Sequence, residues 1–155
     1  MATSLDVIAR WLHILGLLVW IGHNYANVIQ NPGFKPAQPQ DPGAMLAAMK
    51  REHGTFRYAS LVVLATGFYM LWYRGILADA LTLTGSAAVI GIGVWAGLLM
   101  VMNLWFILWP NQKKVLGFTP APDNERIRCS RITFLSSRTN SILSMAALFF
   151  MGVFP

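Results

Sequence analysis

Between Leu83 and Trp109 the chain carries no charged side chain. That stretch exceeds the ~20 residues a helix needs to cross ~30 Å of hydrocarbon. Composition extends the same reading to the whole chain. Of 155 residues, 55% are apolar and 12% charged, about half the ~25% charge of an ordinary soluble domain. The apolar residues are clumped into long runs rather than spread evenly, which is the membrane pattern.

Four spans are expected, at about 5–28, 56–77, 83–109 and 132–154. Strand-like alternation is too sparse for a closed barrel, so each span should be a helix that satisfies its own backbone. The expected fold is therefore all-α: an integral membrane, four-helix transmembrane bundle forming one domain over 1–155. In the fourth span the uninterrupted apolar part, Ile142 to Pro155, is too short alone. Its helix should begin upstream and carry Arg138 to Ser141 into the interface. The first apolar stretch is long and lacks a small-residue cleavage site behind it, so it reads as a retained span rather than a signal peptide.

Basic residues orient the bundle. Lys35, Lys50, Arg51, Arg57, Lys113, Lys114, Arg126, Arg128, Arg131 and Arg138 lie on or near the 29–55 and 110–131 loops, against Arg10 and Arg74 on the other side. The positive-inside rule then puts both loops in the cytoplasm and both termini outside. The net charge of +6 needs no nucleic acid to account for it, because basic loops meeting anionic headgroups suffice. The lipid bilayer is the first expected partner, with bound lipid. The single cysteine, Cys129, excludes an internal disulfide and every CxxC or CxxCH motif, hence covalent c-type haem and cysteine-rich zinc sites. It reads as an inert thiol.

Charge and imidazole inside the first span mark its inward face. At 100° per residue, Arg10, His13, Leu17, Trp20, Asn24 and Asn27 share one side. That side should face the bundle interior or a cavity, since lipid offers no hydrogen bonds. Arg10 lies near the outer interface, where it can snorkel. His23 is ~15 Å along the axis from His13, too far to share an iron or metal ion with it. His53 lies at a depth similar to His23. A bis-histidine haem, a metal, or a plain hydrogen-bonded pair are the alternatives there, and two histidines alone do not close a metal site. For His13, a bonded core imidazole stands beside a ligand role.

Other features organise the bundle. "GIGVWAG", Gly91 to Gly97, lacks the preceding strand of a dinucleotide fingerprint. Gly93 and Gly97 instead form a small-xxx-small pair for close helix contact. Asn103 is a mid-helix amide that needs a partner across the bundle, and Ser137, Ser141 and Ser144 line one face of the fourth helix. Arg138 joins this polar set. Trp72, Trp105 and Trp109 fall near span ends as an aromatic belt does. Among the methionines only Met100 and Met102 have the MxM spacing of a copper-transfer stripe. No nucleophile–base–acid set is visible. None of the six acids, Asp6, Asp41, Glu52, Asp79, Asp123 and Glu125, is expected deep in a span.

Two blocks resemble a known family. "RWLHILGLLVWIG", Arg10 to Gly22, resembles the first span of the PuuD-type urate oxidase (urate hydroxylase) membrane domain. "NLWFILWPNQKKV", Asn103 to Val115, resembles its block ending in PNQ-[RK]-K, and "SSRTNSILSMAALFFMGVFP" resembles its closing helix. The first helix is also similar to those of CopD-like and HemJ-like membrane proteins. The resemblance implies a module tied to electron flow in a bacterial-type inner membrane, with His13 a candidate haem b ligand. The chain departs from that pattern by lacking a cytochrome c domain. It also has Gly91 and Thr139 where the resemblance leads one to expect histidines. Urate oxidation is therefore not carried over. Two expectations of different class remain. One is an accessory subunit, packed with other membrane subunits or with its own copies in an energy-transducing complex. The other is a b-type haem electron-transfer module using His13, or His23 with His53.

Overall fold

The computed structural model describes residues 4–153, and among them the chain is helical with no strand. Helix α1 (Ser4–Gln30) has 27 residues, about 40 Å at 1.5 Å per residue. It stops before Pro32, as expected of a ring that disfavours helical backbone just ahead of it. An extended connector then leads to a short helix, α2 (Pro42–Arg51), started by Asp41, whose carboxylate accepts from the Gly43 N–H at 3.0 Å. Helix α3 (Thr55–Tyr73) follows, then a short α4 (Leu77–Thr82) and a 3-10 turn at Gly85–Ala87.

The third expected span is one continuous helical run in three parts. Helix α5 (Ala88–Met102) passes into a π-helical turn, Asn103–Leu108, and on into α6 (Trp109–Leu116). Pro110 explains the turn. A proline inside an α-helix lacks an N–H and collides with the carbonyl four residues back. Here the helix widens ahead of the proline, so that the Trp109 N–H reaches the Leu104 carbonyl five residues back. The Asn111 side chain caps the Ile107 carbonyl at 2.7 Å. The last helix, α7 (Asp123–Val153), starts with Asp123 and Glu125 in its first turn, where acids favour the helix dipole.

Around the bundle the order is α3, α1, α7, α5, with α3 and α5 meeting least. Helices α1 and α3 approach closely at Gly16, where a Cβ would lie 2.7 Å from the Val63 side chain. Two apolar clusters fill the interior. Trp20, Ile21, Phe56, Val63, Met100, Leu104 and Leu108 form one, and Leu71, Ala80, Ala87 and Val94 the other.

Two helical runs, Ser4–Gln30 and Gly85–Leu116, are long and apolar enough to cross a membrane. The other two expected spans are less apolar: α3 has Arg57 in its first turn, and α7 carries Arg126, Arg128, Arg131, Arg138 and a run of serines. Boundaries also differ from expectation. Helix α3 ends at Tyr73 instead of 77, and the chain folds back through α4. Helix α7 begins at Asp123 instead of near 132, and the expected end of the fourth span at 154 lies outside the described residues. Helix α2 is an addition within the expected 29–55 loop. Its signal is the Asp41–Pro42 pair, a capping residue followed by a first-turn proline.

Polar side chains share the interior with the apolar clusters, and large apolar side chains cover much of the outside. Ser60 and Ser144 are fully buried, while Ile29, Phe106 and Ile142 are 70% or more exposed. Apolar residues such as Leu5, Ile8, Trp11, Leu15 and Leu18 cover the outside of α1. Exposed apolar surface on this scale is foreign to water-soluble monomers.

Candidate functional site

A seam of serine and asparagine runs through the interior. The Asn103 amide donates to the Ser136 carbonyl at 2.9 Å and to Asn140 Oδ1 at 2.7 Å. The Ser136 hydroxyl donates back to Asn103 Oδ1 at 2.6 Å, and Asn140 donates to the Met100 carbonyl at 3.2 Å. Asn103 thus finds the cross-bundle partner its position demanded, but in Ser136 and Asn140 rather than Ser137, Ser141 or Ser144. Ser141 and Ser144 bond carbonyls of their own helix, and Ser144 also reaches the Tyr25 hydroxyl. Met100 is buried and Met102 exposed, so the two do not form a stripe. Cys129 is buried and free. Gly93 seats α5 on the Ala147 carbonyl and Met151 of α7, whereas a Cβ at Gly97 would meet nothing. Close contact is therefore made by one member of the expected glycine pair.

The three histidines are in different surroundings. His13 is half-buried, and its Nδ1 pairs with Thr66 Oγ1 at 3.0 Å. The Thr66 hydroxyl also lies within bonding distance of the Val62 and Val63 carbonyls, so the pair ties the imidazole to the backbone of α3. Gly67 makes room for the ring. Beside it is an apolar cavity of about 50 Å³, bounded also by Trp20, Gly97 and Leu98. His23 lies flat on the Phe56 ring, centroids 4.2 Å apart and planes within 2°. One face of the His23 ring is thus taken by Phe56, while the residue as a whole is exposed. His53 is exposed beyond the end of α2.

Haem, which the sequence resemblance implies, does not fit at His13. The cavity is far below the ~300 Å³ at which small-molecule sites begin. Position 91 offers no alternative ligand, because a Cβ there would stand 2.2 Å from the Ala80 carbonyl oxygen. Helix α4 occupies that place. Thr139, the other position in question, is exposed. Among the described residues no three of His, Cys, Asp and Glu gather as a metal site would require.

Of the polar face expected on α1, Asn24 and Trp20 are buried, and His13 and Leu17 partly so, whereas Asn27, near the helix end, is exposed. Arg10 instead has a half-exposed side chain, ion-paired within its own helix to the buried Asp6 at 2.8 Å. It lies within two turns of the start of α1, so its long side chain can reach outward.

At the basic end the loops are tied to the helices by arginine. Buried Arg126 donates to the Gln38 carbonyl at 2.8 Å and the Val115 carbonyl at 3.1 Å, and pairs with Asp123. Arg138 lies over the Phe134 ring and donates to the carbonyls of Asn31 and Pro32 at the end of α1, where orphan carbonyls await a cation. It closes the rim instead of facing the interior. Arg57 is held from two sides: Glu52 Oε1 is 2.6 Å from its Nη1, and the Trp109 ring centroid 3.4 Å from its Cζ.

Within this frame is a cavity of about 280 Å³ between α1, α6 and α7. Both α1 and α6 pack on α7, but little on each other. Three stripes converge on it: Asn24 and Asn27 from α1 with Asn31 just beyond its end, Ser130, Thr133 and Ser137 from α7, and Gln112, Val115 and Leu116 along α6. Lys35 and His23 also line it, and no carboxylate does. Two of its amides lack partners for buried atoms, Asn24 Nδ2 and Gln112 Oε1. Of these residues, His23, Asn24, Asn27 and Ser137 stand out in the sequence and Lys35 reads there only as a loop cation, whereas Gln112, Ser130 and Thr133 do not. The α7 stripe's spacing is regular, but Ser130 falls at the end of the expected 110–131 loop. No family model, curated protein or solved structure matches this chain.

Proposed function

We propose that the chain is a multi-pass membrane protein of four spans that serves as an accessory subunit of an energy-transducing membrane complex. The carrying observation is the apolar surface over a partly polar interior: serines and asparagines bonded to one another inside beside the apolar clusters, and many Leu, Ile, Phe and Trp side chains outside. In lipid that arrangement satisfies every layer, because outward apolar groups cost nothing there and inward polar groups hold helices together. The less apolar α3 and α7 then cross as members of the bundle, their polar residues facing inward. The loop around α2, bonded to the α6–α7 loop through Gln40–Ala121 and to α7 through Ala37–Ser130, forms with it one basic cytoplasmic face. Both termini then lie outside, in a bacterial-type inner membrane.

The accessory role follows from the sequence resemblance together with the poor fit for haem. A b-type haem module is the second reading. It is supported by the hydrogen bond that fixes one ring nitrogen of His13 to Thr66, as ligand histidines are oriented from behind, and is opposed by the small space beside that ring. A reduced-minus-oxidised visible spectrum of the purified protein, with and without His13→Ala, separates the two readings. Featureless spectra and co-migration with a larger assembly on native gels support the accessory subunit. A b-type band lost in His13→Ala overturns it. Topology is read from single cysteines placed at the exposed positions Ala47 and Ala78 in a Cys129→Ser background. An impermeant maleimide applied from outside should label position 78 alone.

A further inference from the structure

We propose that the cavity between α1, α6 and α7 binds a hydroxylated phosphate ester, the chemistry of a phosphatidylglycerol headgroup or of free glycerol phosphate. The inference rests on the cavity and is independent of any assembly partner. Asn24 is only 4% exposed, and its Nδ2 finds no acceptor. A buried donor left alone is destabilising, so a protein that keeps one beside a cavity gains when a ligand supplies the acceptor. Lys35 adds a cation on the same wall, and Asn27 and His23 add further polar edges. With no carboxylate lining the space, the site favours an anion.

The second orphan narrows the class. Gln112 Oε1 is an acceptor without a donor, and a fully deprotonated anion such as sulfate has none to offer. A phosphate ester carrying a free hydroxyl supplies both halves, oxygens for Asn24 and Lys35 and an O–H for Gln112. At about 280 Å³ the cavity is near the small end of ligand sites, suited to a headgroup and not to a whole lipid. It is level with the last two turns of α1, which on the four-span reading proposed above is the depth of the cytoplasmic headgroups. Basic pockets between membrane helices on the cytoplasmic side hold anionic headgroups in the same way.

The test is thermal unfolding of the purified full chain in a neutral maltoside detergent, alone and with phosphatidylglycerol, phosphatidylcholine, or glycerol 3-phosphate added. A rise in Tm with phosphatidylglycerol but not phosphatidylcholine assigns the site to lipid. An equal rise with glycerol 3-phosphate alone assigns it to a free metabolite of the same chemistry. Lys35→Ala should weaken binding about tenfold, the loss of one charge-assisted hydrogen bond. This residue is on an exposed loop, so its variant folds normally. Asn24→Leu should abolish the rise while leaving the unliganded Tm equal or higher, since it removes an unpaired donor. No rise with either phosphate compound, or a rise that survives both substitutions, overturns the proposal.

Discussion

The two ends of the bundle are closed by opposite means. At the basic end, charge does it: Arg57, Arg126 and Arg138 each bind backbone carbonyls or a carboxylate while lying against rings or helix ends. At the far end, closure is by contact of bare backbone. Gly91 lets α4 lie against α5, and the Trp95 indole donates to the Leu81 carbonyl at 3.0 Å. A long side chain tolerates adjustment, whereas a glycine contact does not. The basic end can therefore surround a polar cavity, and the far end cannot.

Substitutions can break this contrast at either end. Gly91→Val should have the largest effect, at or above the top of the ~1–3 kcal/mol usual for overpacking, because the obstructing atom is the Ala80 carbonyl oxygen. Limited proteolysis should then cut around α4 and spare the 31–41 connector. Arg57→Ala comes next, at about 3 kcal/mol, since it leaves Glu52 as a largely buried charge without its partner. Its cleavage pattern should be the reverse, near Glu52 and not near α4. Asn103→Ala should cost about 1–2 kcal/mol by orphaning Ser136 and Asn140, read as a Tm drop without either cleavage. Glu125→Gln is the smallest. It removes the partner of Lys114 in a partly exposed pair, and exposed pairs contribute little, so its Tm should match the parent protein. Equal cleavage patterns for the first two variants would show that the ends are not independent.

Much of the bundle is legible in the sequence because its signals are local. The uncharged run around Leu83–Trp109, the stop at Pro32 and the need of Asn103 for a partner all follow from neighbours in sequence. The partner itself is misjudged by one position. A helix face chosen at 100° per residue cannot say which of Ser136 or Ser137 meets a helix whose own phase is altered. The return through α4 is illegible for another reason. Gly91 reads as one more small residue in an apolar span, and only the fold brings Ala80 against it. Gln112 and Lys35 likewise become neighbours of Asn24 only after three helices and a connector have met.

The widened turn before Pro110 sets the angular phase of everything after it. Each five-back bond spans one residue more than an α-helical bond, and one residue is worth about 100° of rotation. Deleting a single residue from Asn103–Leu108 would thus swing Gln112 a quarter-turn or more around the axis, leaving Asn24 to face an apolar wall. A proline ordinarily counted as a helix breaker acts in this chain as a coupling that indexes one half of a rod against the other.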